Sequence, residues 1–337
     1  MAQRFRLNVR QWPRQRWIGI GLISASLLAL GWWSSLFLGG GETPVFPLPM
    51  AESPVEPSQL PQVLDDDFLY GARGDDDLLV KIDPRTGTAT RQFEMGLRLG
   101  VEELVMDPSG RIFGIAGILT GYLFRVTPET GKTVKIADIS GASKTYKVLE
   151  AMAFVDGVLY ASASSDDSYC GDCANHLIKL DLATGKASEI GTFGPDFLNI
   201  EAMAYSPRHG LIGADIGTLI GPDFREFHTR PALVRIDLSS GQATKIGDLP
   251  PKTDVLVPNA TNNKLSPFGP FLCGMTFAPD GTLYASTFPT HFGGDSRLVR
   301  VNPETASVID VGSMGLKNVD GIVYVRPRKP TEPKTGP

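Results

Sequence analysis

Three stretches of the chain repeat one pattern of apolar and polar positions: EAMAFVDGVLYASAS from Glu150, EAMAYSPRHGLIGAD from Glu201 and CGMTFAPDGTLYAST from Cys273. Each holds two short apolar runs joined by a turn rich in Asp, Pro or Gly, which is the signature of paired strands. A third run follows (HLIKLDLATGK, ALVRIDLSSGQ, RLVRVNPETAS), and then a fourth (ASEIGTF, ATKIGDL, SVIDVGS). No glycine-free helical periodicity of useful length occurs after residue 42, so the repeating part is read as all-β.

Units of four short strands separated by Gly, Pro and Asp turns predict the blades of a β-propeller. First strands are expected to start near Glu102, Glu150, Glu201, Cys273 and Asp320, and second strands near Phe68, Arg111, Val158, Leu211 and Thr282, five of each. The opening unit lacks a first strand, and the last one, DGIVYVRP, has nothing after it. The C-terminal strand should therefore complete the N-terminal blade and remove an open sheet edge. Spacings of 48, 51, 72 and 47 residues between first strands fit five blades, with an insertion from Pro250 to Phe271 accounting for the 72. A sixth, degenerate blade inside that insertion is the alternative, and its prolines argue against four strands there.

Before the repeats the character changes. Residues 1–16 are expected to be a basic cytoplasmic segment, with Arg4, Arg6, Arg10, Arg14 and Arg16 and no acid before Glu42. Residues 17–40 contain the uncharged apolar run Ile18 to Leu38, close to the roughly 20 residues that span a bilayer, and read as a transmembrane signal anchor. A cleaved signal peptide ending near Ala29 and Gly31 is the competing reading. Residues 41–65 form a spacer with Pro44, Pro47, Pro49, Pro54, Pro57 and Pro61. The propeller domain is expected over 66–326 on the extracytoplasmic, or periplasmic, side of the membrane, with 327–337 a disordered tail.

A net charge of -5 argues against nucleic-acid binding, and no P-loop, G-x-G-x-x-G or H-E-x-x-H motif occurs. The turns Asp181 to Lys186 and Asp83 to Gly87 resemble those of quinoprotein-like and YVTN-type propellers, over about residues 66 to 326. These turns are structural, since Gly supplies a positive φ and Asp caps the turn. The tryptophan of the quinone-docking version is absent, Ser188 to Gly191 standing there, so a quinone cofactor is not expected.

Aligning the first strands places Glu102, Glu150, Glu201, Cys273 and Asp320 at one equivalent position, which pseudo-symmetry would gather at the mouth of the channel. Gathered carboxylates either raise one another's pKa or hold a cation. Calcium, which takes six to eight oxygen ligands including water, is the expected ion, with Glu102, Glu150, Glu201 and Asp320 as its ligands. The arrangement is similar to the central calcium of five-bladed apyrase-type nucleotidases, in position within the repeat alone. The other readings are a pair of catalytic carboxylates without metal and a water-filled channel whose acids merely cap strand ends.

The long second-to-third loops lie on the same face as those acids, and they carry His176, His228 and His291 as well as Asp75, Asp76 and Asp77 in the first blade. That face is expected to meet a protein, glycan or small-molecule ligand, which makes the protein a binding module. The alternative is a calcium-dependent hydrolase of a phosphate ester, lactone or glycoside, with His228 and His291 as catalytic candidates. Cys170 and Cys173, as CGDC in an exported loop, are expected to form a disulfide. Zinc held by these cysteines, His176 and Cys273 is a less standard pattern. Cys273 is otherwise read as a small buried residue in the slot where the other blades carry an acid.

Overall fold

The structure is a computed structural model. It describes residues 67–326 with interruptions at 75, 98–99, 118–120, 142–145, 166–174, 198, 218, 221–225, 228–230, 251, 259–264, 269–270 and 288–294. The basic segment, apolar run, proline spacer and tail lie outside these residues, as do Asp75, Cys170, Cys173, His228 and His291. Among the described residues no helix is long and apolar enough to cross a membrane.

The chain forms a five-bladed β-propeller. The first blade is built from Phe68–Arg73, Leu78–Ile82 and Ala89–Glu94, with the C-terminal strand Val319–Val325 as its innermost member. The inner strands of the second to fifth blades are Val101–Met106, Tyr146–Val155, Ile200–Ser206 and Leu272–Phe277. Each inner strand packs beside the next and the fifth returns to the first, so the ring closes as the strand count predicts. The insertion before Phe271 contributes a two-stranded hairpin, Lys252–Pro258 with Leu265–Phe268, and among the described residues no sixth blade. The short strand Ser140–Gly141 pairs in parallel with Lys186–Thr192 and adds a fifth strand to the third blade.

The sequence pattern explains the layers. The third strand of every blade has one basic residue exposed between buried apolar neighbours, at Lys81, Arg125, Lys179, Arg235 and Arg300. The apolar residues form five cores, one between each pair of neighbouring blades. Turn geometry tightens the same seams. Asp181 Oδ1 accepts the backbone N–H of Ala183 and Thr184, and Gly185 takes a φ of 67°. A Cβ on Gly185 would stand 2.3 Å from the Asp138 carbonyl oxygen of the preceding blade, so the turn glycine also permits close blade packing. Gly87 meets Gly312 of the fifth blade in the same way, across the seam where the ring closes.

Candidate functional site

The five aligned positions share a backbone irregularity. Opposite the second strand, the register slips around Glu102, Glu150, Glu201, Cys273 and Asp320 in their respective blades. Such β-bulges re-aim a side chain and recur beside functional sites. Here they occur at one level around the ring.

Glu102 and Glu201 belong to blades that are not neighbours, yet the charge of Glu102 acts on the Glu201 carboxyl. Their fields therefore meet across the channel. Burial pushes the Glu201 carboxyl up to about 7, with the charges of Glu102 and Asp215 adding to the rise and a hydrogen bond from the Asn199 side-chain amide (3.3 Å) opposing it. Burial also raises Glu102. Asp320 lies beside the second-to-third turn of its own blade, since a Cβ on Gly74 would stand 2.5 Å from Asp320 Oδ2. The acids thus open toward the face that bears those loops. Glu150 is half-buried at the equivalent bulge of the third blade. Cys273 takes the fifth position as a buried thiol, its Sγ 3.9 Å from the Phe271 carbonyl oxygen.

One residue that the alignment passes over is more deeply placed than any of these. In the next column stand Glu103, Ala151, Ala202, Gly274 and Gly321. Glu103 is 0% exposed. Its Oε1 accepts the Leu104 N–H at 2.9 Å, and Ile322 of the first blade donates a second backbone hydrogen bond to the carboxylate. Its Oε2 has no hydrogen-bond partner. Burial holds this carboxyl well above the usual range, and the charges of Asp320 and Glu201 push in the same direction. Gly321 makes the room, because a Cβ there would stand 2.5 Å from Glu103 Oε1. The signal was available in the sequence as one acid in a column otherwise made of Ala and Gly.

Hydroxyls tie the inner strands together around this level. Ser162 accepts the Ala151 N–H at 3.0 Å and donates to the Ile200 carbonyl of the next blade at 2.7 Å, and Ser286 donates likewise to the Asp320 carbonyl. Asp215, buried at the end of the fourth blade's second strand, accepts the Asn199 and Gly217 N–H groups.

Among the described residues, no three His, Cys, Asp or Glu side chains converge closely enough to hold a metal ion directly. His176 opens the third strand of its blade, 3% exposed, with Nδ1 2.6 Å from Asn175 Oδ1, and is not on the loop surface. At the other end of the inner strands lies a cavity of about 680 Å³, lined by Met106, Phe154, Phe277, Val325, Asp107 and Arg326 among others. It opens on the face of the short first-to-second turns, where loop length alone predicts little.

No family model matches the chain, and no curated protein does. Among solved structures, similarity is found to the PQQ-bound form of an aldose sugar dehydrogenase from Streptomyces coelicolor (14% identity, 76% of this chain and 81% of that one, TM-score 0.44). A protein of unknown function from Bacteroides caccae matches at 11% identity over 78% of this chain and 100% of that one, TM-score 0.44. TolB from Acinetobacter baumannii matches at 15% identity over 74% of this chain and 54% of that one, TM-score 0.41.

Proposed function

We propose that this propeller is a ligand-binding module, anchored to the membrane by residues 17–40 and carried outside the cytoplasm, whose axial acids hold a divalent cation, calcium first. The observation that carries this reading is the bulge that sets Glu102, Glu150, Glu201 and Asp320 at one level around the ring, with the charge of Glu102 reaching Glu201 two blades away. Two carboxyls facing one another in a partly dehydrated space destabilise their charged forms, and a cation between them reverses the sign of that interaction. Since no three ligating side chains converge among the described residues, the ion is taken to keep much of its water, as calcium readily does. The loop-bearing face beside it then meets a protein or glycan.

Chelation tests this reading. EDTA should lower the melting temperature of protein purified without chelator, and the pair Glu150→Gln and Glu201→Gln should remove that sensitivity. An identical melt with and without EDTA contradicts it.

A second reading, a calcium-dependent hydrolase on the same face, is favoured by one observation. Glu201, held up to about 7, is poised for general acid–base work near neutral pH. Turnover of a phosphate ester, lactone or glycoside that is lost in Glu201→Gln would support it.

A further inference from the structure

The inner strands repeat a second column at their far ends. Met106, Phe154, Tyr205, Phe277 and Tyr324 each stand four residues after the aligned acid or thiol, one per blade, where the strands reach the face of the short turns. All but Tyr324 are only half-buried. Three of these rings are backed by a ring of the preceding blade: Phe154 by Phe113 at 5.7 Å between centroids, Phe277 by His209 at 5.7 Å, and Tyr324 by Tyr284 at 5.9 Å. The aromatic wall is therefore set in place before any ligand arrives. Met106, Phe154, Phe277 and Tyr324, with Phe68 and Tyr70, line the cavity of about 680 Å³, a size within the roughly 300–1,000 Å³ of small-molecule sites.

The polar groups of the lining narrow the chemistry. Asp107 already accepts hydrogen bonds from Ser109 and Arg111, while Tyr324 and Arg326 donate to Asp67. A ligand that must hydrogen-bond along its length, such as a saccharide, finds these side chains engaged. Glu129, exposed on the turn between the third and fourth strands of the second blade, is the one lining carboxylate without an ion pair among the described residues. Aromatic faces attract cations. Lys81 Nζ, itself outside the lining, makes that contact with Phe68 at 4.0 Å from the ring centroid. A methylated ammonium group suits such a wall, because its surface is apolar, it donates no hydrogen bond, and its charge complements Glu129.

We infer that this cavity is a second ligand site, which takes a small methylated ammonium compound with its cationic head against Phe154 and Phe277 and Glu129 as the counter-charge at the rim. The site lies at the opposite end of the inner strands from the aligned acids and does not rest on the axial cation.

The test is calorimetric titration of choline chloride into the full chain, kept in mild detergent at constant ionic strength. The same titration is run with choline's neutral isostere, in which a tert-butyl group replaces the trimethylammonium, and with glucose. Choline should bind about fivefold more tightly than the isostere, the worth of a cation–π contact. Phe277→Leu keeps apolar bulk but removes the aromatic face, and Glu129→Gln removes the charge at an exposed position. Each should weaken choline several-fold and leave the isostere unchanged. Should Phe277→Leu fail to fold, Glu129→Gln decides. Equal affinity for choline and the isostere shows a merely apolar cavity and overturns the inference. Tighter binding of glucose, or no binding of choline, overturns it as well. Choline binding that neither variant weakens lies elsewhere, at the aligned acids for example, and overturns the site while leaving the axial cation standing.

Discussion

Asp67 and Arg326, 259 residues apart, meet with Nη2 2.9 Å from Oδ2, and the Tyr324 hydroxyl donates to the same oxygen at 2.8 Å. The pair fastens the approach to the first blade's Phe68–Arg73 strand to the end of the strand that closes the ring. Asp67 is fully buried, whereas Arg326 keeps about a third of its side chain in solvent. Asp67→Ala leaves both donors without their acceptor and should cost about 2–3 kcal/mol, below the roughly 3–5 of a fully buried pair. Tyr324→Phe should cost about 1 kcal/mol. Urea unfolding followed by tryptophan-independent far-UV signal checks both, and equal costs for the two variants would show that Arg326 contributes nothing.

Close approach at Gly321 should make it intolerant of any side chain. A Cβ there would stand 2.2 Å from the Leu104 nitrogen and 2.6 Å from the Glu103 Cα, both backbone. Gly321→Ala is expected to cost at least the roughly 1–3 kcal/mol of an overpacked site. Glu103→Ala in the same chain should not rescue it, because the obstructing atoms are main chain. Rescue in a double-variant melt would contradict this geometry.

Ser162 joins the third blade to the fourth through two hydrogen bonds and is 0% exposed. Ser162→Ala strands the Ala151 N–H and the Ile200 carbonyl, a loss of about 1–3 kcal/mol. Ser286→Ala should behave alike at the fifth blade, where the hydroxyl reaches the Asp320 carbonyl. Hydrogen exchange should quicken at the affected inner strands. Unchanged exchange there would mean that water replaces the hydroxyls at no cost.

The raised carboxyls set a pH trend for ion-free protein. Glu102, Glu103 and Glu201 all favour the folded state in their protonated form. Their contribution is fully present below the ordinary value of 4.5 and is lost as pH rises through the folded value, about 7 for Glu201. Chelator-stripped protein should therefore melt higher at pH 5.5 than at pH 8, and Glu201→Gln should flatten the difference. A higher melt at pH 8 would show that these groups do not govern stability in that window.

Much of this architecture is legible in the sequence because a propeller spells out its repeats. The aligned first strands give the blade number and the closing role of Asp320 onward, whereas the bulge at each aligned position shows only in the strand register. Glu103 escapes because the alignment follows the polar column, and the neighbouring column reads as core. Only packing across a seam reveals that Gly321 makes room for a carboxyl. His176 reads as a loop residue because its strand begins with a polar side chain, yet Asn175 and the blade's register draw it inside. The parallel strand Ser140–Gly141 leaves no trace of alternation, being two residues long. The cavity beneath Met106, Phe154 and Phe277 is built by strand ends from several blades, a juxtaposition that loop length does not report.

The most direct test of the axial cation is the metal content of protein purified without chelator and freed of loosely held ions by gel filtration. About one calcium per chain is expected in the wild type, and far less in the Glu150→Gln, Glu201→Gln variant. Wild-type protein that retains no divalent metal, and takes up none on dialysis against millimolar calcium, would contradict the account.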